Sequence, residues 1–365
     1  MHRGMAASFT PDDIYLGTLV GALNQLNGGV TTLFGWLHNN PTPGHTDGGV
    51  DGLIESSIRA LFGHGSPKHE PKEGRPHFSE VPHPRAEIER LRTSRLAADD
   101  GRVTLAMAIL GPYFSTYEVN RQDMLLAAEF DLVASAHIDA GFHRMVSDGI
   151  TRMHGDGLID ARFNVVHGSD LSDEEISILV DCGVSFWIIA ETEMQFGFGY
   201  PITGRVIAAG GAPSIGSDTE AGMAGDMLSA MRMTLKMQRA VDAGPAVTMD
   251  KPVEAQSRTA HQALEWATIN GARALRMDHQ IGSLSAGTKA DIILLRADDL
   301  NLFPVRDPVH AIVLHANSGN VDTVMVDGEI VKRAGRLLYA GIADKKTGPR
   351  RVGPPPRRRG GAGLD

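Results

Sequence analysis

Three ionisable residues stand at the ends of short apolar runs: His137 in LVASAHIDAG, His167 in FNVVHGSDL and Asp218 in GAPSIGSDTE. Two imidazoles and a carboxylate form a donor set that zinc and similar metals accept. The same set suits water activation, with the carboxylate taking a proton and an imidazole steadying developing negative charge. Polar residues close other runs too: His38 after GVTTLFGWL, His64 after IRALFG and Glu193 within GVSFWIIAETE. His38 and Glu193 are candidate substrate contacts, and His64 is expected to end its strand on the same face as His38. Each residue also has a plainer role open to it. Aspartate caps helices, a histidine can sit bonded to backbone in a core, and strand-end histidines or glutamates often only face solvent.

The elements that must position these residues alternate. Each apolar run has the length and β-branched content of a buried strand, and helix-length segments separate them. Thr10-Pro11-Asp12-Asp13 starts a helix with a capping residue, a proline in the first turn and acids near the positive end of the helix dipole. Strands are expected at GVTTLFGWLHN, IRALFGHG, RVTLAMAILGP, the His137 and His167 runs, GVSFWIIAETE and the Asp218 run. Strict alternation of strand and helix means a parallel sheet, of which seven strands are counted from Gly29, with its chemistry at the carboxyl ends. Helices are expected over Asp226 to Arg239 and Ser257 to Leu275. The polar stretch from Gly65 to Phe78 reads as a loop over the barrel mouth. His143 and His154 are placed on the surface of the loop after the His137 strand.

Beyond residue 275 the period changes. IGSLSAGTKADIILL, AIVLHAN and NVDTVMVDGEIVKRAGRLL read as short antiparallel strands, with Asp327-Gly328 as a hairpin turn. The expected organisation is a barrel over 1–275, a small β module over 276–340 and a disordered basic tail over 341–365.

Composition narrows the function classes. The 365 residues suffice for a full core, and the formal charge of −9 argues against a nucleic-acid-binding body, which needs a basic face. The segment from Asp344 to Asp365 carries +5, leaving −14 on the remainder. Cys182 is the only cysteine, so an intrachain disulfide is impossible. With no long apolar segment in sight, the expectation is a cytoplasmic protein without membrane or nucleic-acid partners.

The motifs taken together resemble the amidohydrolase superfamily, on its cytosine-deaminase-like and triazine-hydrolase-like branch. GSLSAGTKADIILL with VDTVMVDGEIVKRAGRLL looks like the closing β-sandwich of that branch. NVVHGSDLSDEEISILVDCGVSF is similar to its sixth-strand motif, and GGAPSIGSDTEAG to its eighth-strand motif. The resemblance covers about Arg3 to Leu338. It implies a (β/α)8 TIM barrel of the metal-dependent hydrolase type with a small β-sandwich module. It further implies His137 as a metal ligand, His167 as a ligand or electrophile, and Asp218 as a ligand that takes the proton from metal-bound water. One divalent metal is expected, zinc ahead of iron or manganese.

Two departures qualify what the resemblance implies. No His-x-His occurs in the chain, although the family's first strand carries that motif, so the sequence reads as one that starts after that strand and loop. Open edges on the neighbouring strands are then expected to leave the isolated chain unstable, aggregating or paired, with a homo-oligomer as one outcome. The second departure is Ala140, which stands where deaminases of this branch carry a proton-shuttling Glu. The expected activity is therefore hydrolysis of a non-peptide carbon–nitrogen bond in a cyclic amidine, amide or substituted heterocycle. The alternatives are a catalytically silent relative without stoichiometric metal and, third, a deaminase.

Overall fold

The computed structural model describes residues 8–66, 68, 74–139, 144–220 and 222–347. The chain opens with helix α1 (Pro11–Asn27), where the Thr10 side chain accepts from the Asp13 N–H and Asp13 accepts from the Thr10 N–H. Together they satisfy two of the donors that a helix start leaves unpaired. Strand β1 (Thr32–Leu37), helix α2 (Pro43–Ser56) and strand β2 (Arg59–Gly65) follow, then α3 (Arg85–Arg92) and β3 (Val103–Ile109). Next come α4 (Gly111–Phe114), α5 (Tyr117–Glu129), β4 (Ala134–Ile138), α6 (Gly149–Gly155) and β5 (Phe163–His167). The sheet finishes through α7 (Asp173–Asp181), β6 (Ser185–Ile188), α8 (Ala190–Gln195), α9 (Thr203–Ala208) and β7 (Pro213–Ile215).

All seven strands are parallel and lie in sequence order from β1 to β7. These are the seven strands expected from the apolar runs. Among the described residues β1 and β7 each pair on one side only. The sheet curls, because Trp36 Nε1 on β1 donates to Ser135 Oγ on β4, a strand three places away. Side-chain alternation then gives the curl two faces. Leu61, Ala106 and Val133 turn inward and meet Ala272, Leu275, Met277 and Ile281, with Phe34 and Trp187 packed against them. Phe62, Leu105, Val165 and Phe186 turn outward into the larger core beneath the helices.

Helices α10 (Met227–Thr248), α11 (Ala260–Trp266) and α12 (Ile269–Ala274) lead to a second, antiparallel sheet of β8 (Ile292–Leu295), β9 (Val321–Val326), β10 (Glu329–Arg333) and β11 (Arg336–Leu337). Asp327 and Gly328 form the β9–β10 turn with φ of 52° and 81°, which is the left-handed pair such a hairpin needs. The guanidinium of Arg59, fully buried on β2, holds both carboxylate oxygens of Asp291 at 2.7 and 3.0 Å and so ties the second sheet to the first.

Several expectations change. AIVLHAN is not a strand: its first four residues finish a helix, α13 (Pro308–Leu314), because Asp307 accepts from the His310 N–H and Pro308 presets the first turn, so local capping outweighs the β-branched content. The run ending in Glu193 is strand only to Ile188, and Glu193 belongs to α8. Helix α10 continues well beyond Arg239 through Gly244 and Pro245, and the stretch after Ser257 divides into α11 and α12. Part of the expected tail forms α14 (Ile342–Thr347), and its remainder lies outside the described residues. Ala140, His143 and much of the Gly65–Phe78 loop also lie outside them. His154 is exposed, as expected, but on helix α6 and not in a loop.

Candidate active site

The site lies at the carboxyl ends of β1, β4 and β5. Trp36 and His38 share the inward parity of β1, and His137 has that of Ser135 on β4. Their rings meet: Trp36 stands 4.1 Å from His137 edge to face, and His38 lies 4.6 Å from Trp36 and 5.6 Å from His137, centroid to centroid. His167 extends the row, with its ring 5.5 Å from His137 and 5.4 Å from Phe198. A buried polar chain runs below these rings. Trp36 Nε1 donates to Ser135 Oγ at 3.2 Å, Ser135 Oγ donates to Asn164 Oδ1 at 2.8 Å, and Asn164 Nδ2 donates to Ser185 Oγ at 2.9 Å. It locks the four strands at the depth where the row begins.

Backbone geometry singles out two of the predicted residues. His167 has φ 70° and Asp218 φ 53°, left-handed values that cost a residue bearing a side chain free energy. Strain of this kind gathers at functional positions. At His167 the turn ends β5, and the next residue, Gly168, donates its N–H to Ile138 O at 2.6 Å. Simple alternation would put His167 outward with Val165, yet its ring lies beside the inward His137.

Glu193 stands behind His167. The carboxylate is fully buried, and its Oε1 lies 2.8 Å from the Ile189 N–H and 3.2 Å from His167 Nδ1. It touches the histidine, where the sequence suggested a substrate contact.

Other predicted residues separate. His64 does not share the face of His38: it follows the outward parity of Phe62 and meets His83 in the helix layer. Asp218 follows β7 and is exposed. Among the described residues no three His, Cys, Asp or Glu side chains converge closely enough to hold a metal ion. The donor chemistry of His137 and His167 suits zinc, and a carboxylate behind a ligand imidazole is the usual support for one. The described side chains nevertheless do not fit the three-ligand centre expected from His137, His167 and Asp218.

Lys68 was not singled out by its sequence, since it stands in a polar, Pro- and Gly-rich stretch without a motif. Its Nζ lies 3.8 Å over the Phe114 ring, and burial lowers its pKa to about 8 against the opposing pull of Asp139, two residues past His137.

Residues 2–331 match the amidohydrolase family, and the chain belongs to that family. It is 27% identical over 338 residues to a 5-methylthioadenosine/S-adenosylhomocysteine deaminase of Moorella thermoacetica, covering 89% of this chain and 72% of the relative. The fold matches a zinc-bound adenosine deaminase from Xanthomonas campestris with a TM-score of 0.76 at 21% identity, covering 94% of this chain and 76% of the other. It also matches an atrazine chlorohydrolase from Arthrobacter aurescens complexed with zinc, with a TM-score of 0.76 at 21% identity over 93% and 76% of the two chains. Family membership makes this protein a hydrolase of the class acting on carbon–nitrogen bonds other than peptide bonds.

Proposed function

We propose that the protein hydrolyses a carbon–nitrogen bond of a planar nitrogen heterocycle, with cyclic amidines, amides and substituted heterocycles as its substrate class. The observation that carries this reading is the continuous row of rings from Trp36 through His38 and His137 to His167 and Phe198. Flat π surfaces beside two imidazoles suit a flat ring whose substituent is to be displaced, because stacking orients the ring while the imidazoles meet its edge. In this reading His167 is the electrophile and Asp218 the acceptor of the water proton. The case for Asp218 rests on its motif and its left-handed backbone. His38 is the proposed substrate contact at the rim.

The proposed cofactor is one divalent metal, zinc before iron or manganese, with His137 and His167 as its ligands, while Asp218 keeps only the role of proton acceptor in this reading. When bound it would supply an activated water. The names of the relatives favour loss of an amino group as the form of hydrolysis. Release of ammonia separates that form from displacement of other substituents.

A second reading, a catalytically silent relative, draws support from the lack of a three-donor cluster among the described residues. Elemental analysis of the purified chain, followed by a screen of purines, pyrimidines and triazines read by absorbance and ammonia release, decides between them. Stoichiometric metal with turnover of at least one heterocycle is expected. A well-folded, metal-supplemented chain that turns over none would sink the first reading in favour of the second.

A further inference from the structure

We propose that Glu193 is a positioning residue that fixes the His167 ring in the tautomer with its proton on Nδ1 and its lone pair on Nε2. The inference deepens the reading above, in which His167 works on the substrate or the metal. Its basis is local and does not require the substrate to be known.

Glu193 Oε1 is the meeting point of two contacts. The Ile189 N–H, four residues earlier at the mouth of α8, donates to it at 2.8 Å. As a carboxylate, Glu193 has no proton to give, so Oε1 accepts both from the Ile189 N–H and from the ring nitrogen facing it at 3.2 Å. His167 therefore carries its proton on Nδ1. A free imidazole prefers the opposite tautomer, so the protein imposes this one through the partner it offers. The ring is also held on its flanks by His137 at 5.5 Å and Phe198 at 5.4 Å, and its backbone is fixed in the left-handed region.

Stability alone does not account for the arrangement. Glu193 is fully buried, its only ionic partner among the described residues is His167, and its Oε2 has no hydrogen bond there. Burying a carboxylate so sparsely satisfied is costly. A cap on the Ile189 N–H could come from a neutral side chain at less cost. What the carboxylate adds is a strong acceptor behind the imidazole, which orients it and makes Nε2 a better electron-pair donor. His167 Nε2 makes no hydrogen bond among the described residues, so this nitrogen is the one left to act.

The test reads the tautomer directly. The chain is labelled with 15N-histidine, freed of metal with a chelator, and its ring nitrogens are followed through their two-bond couplings to ring protons. The signals missing from His167→Gln identify the ring. In the parent chain His167 should show a protonated Nδ1 and an unprotonated Nε2. Glu193→Gln keeps an acceptor oxygen and should keep this pattern. Glu193→Leu removes the acceptor and should move the proton to Nε2 while circular dichroism reports an unchanged fold. A parent chain with its proton on Nε2, or a folded Glu193→Leu variant with an unchanged pattern, would overturn the proposal. Should Glu193→Leu not fold, the parent pattern decides alone. The proposed activity fails separately: a correct tautomer in a chain that turns over no heterocycle leaves this inference standing and removes the other.

Discussion

His64 Nδ1 lies 2.9 Å from His83 Nε2, and both rings are buried in the helix layer outside β2. Ser66 Oγ reaches His83 Nδ1 at 3.2 Å, and Asp123 on α5 accepts the His83 N–H at 2.7 Å. Burial pulls the His64 pKa down to about 4, with Glu87 opposing and Arg90 assisting. Burial and the neighbouring His64 push His83 well below its usual value. Asp123 moves the other way, lifted by burial to about 7 against the His83 N–H.

These shifts predict an asymmetric dependence of stability on pH. A histidine whose folded pKa is depressed binds fewer protons folded than unfolded between about pH 4 and pH 6.5, so its contribution to stability falls with acidification through that window. Asp123, with its folded pKa raised, binds more protons folded than unfolded between 3.8 and about 7, and its contribution falls as pH rises through that range. Two histidines outweigh one aspartate on the acid side, while Asp123 alone acts just above pH 6.5. Urea unfolding across this range should show a maximum near pH 6.5, steep loss below it and slight loss above. Asp123→Asn should steepen the acid side and flatten the neutral side. Identical profiles for the two proteins would refute the assignment.

Asp291 answers a buried charge. Arg59 is fully buried, and Asp291 meets it with two oxygens at 2.7 and 3.0 Å. Asp291→Ala leaves the guanidinium without its main partner, and removing one side of a buried pair costs roughly 3–5 kcal/mol. Equilibrium unfolding should register a loss of that order. A loss below ~1 kcal/mol would mean that Asp327, 3.6 Å from the Arg59 guanidinium, takes over the pairing.

Helices α1 and α2 are held close by absent side chains. A Cβ at Gly52 would sit 2.8 Å from Tyr15 O and 2.9 Å from Leu19 N, and one at Gly48 2.5 Å from Pro11 O. The neighbours in the way are backbone, which cannot rotate aside. Gly52→Ala should therefore destabilise by about 1–3 kcal/mol despite alanine's better helix propensity. A thermal midpoint equal to or above the parent's would contradict this close packing.

Much of the barrel was legible because it is written in period and punctuation. Seven apolar runs separated by helical stretches became seven parallel strands, and Asp327-Gly328 became the hairpin turn. What failed was decided by tertiary partners or local caps. AIVLHAN has strand-forming content, but Asp307 and Pro308 start a helix there. His38 and His64 both follow apolar runs, yet each takes its side from the parity of its own strand: Trp36 inward, Phe62 outward. The motif histidines His137 and His167 do meet. Glu193 was legible as a polar residue near a strand end, but its attachment to His167 depends on the α8 turn that begins one residue after Ile189. Lys68 carried no pattern at all, because its significance lies in the Phe114 ring and the Asp139 charge around it.

The proximity of Trp36 to His137 makes the proposed metal position visible without a substrate. The chain has three tryptophans, and the Trp36 ring lies 4.1 Å from His137. A paramagnetic divalent ion such as Co2+ bound between His137 and His167 would quench the Trp36 emission strongly, since imidazole accepts such ions readily. Titration should remove a discrete fraction of the fluorescence, and Trp36→Phe should abolish that fraction. His137→Ala should weaken the binding at least tenfold, a loss of about 1.4 kcal/mol or more. With only two of the expected ligands brought together among the described residues, the affinity should be modest. Quenching that survives both His137→Ala and His167→Ala would place the ion elsewhere and withdraw these histidines as ligands.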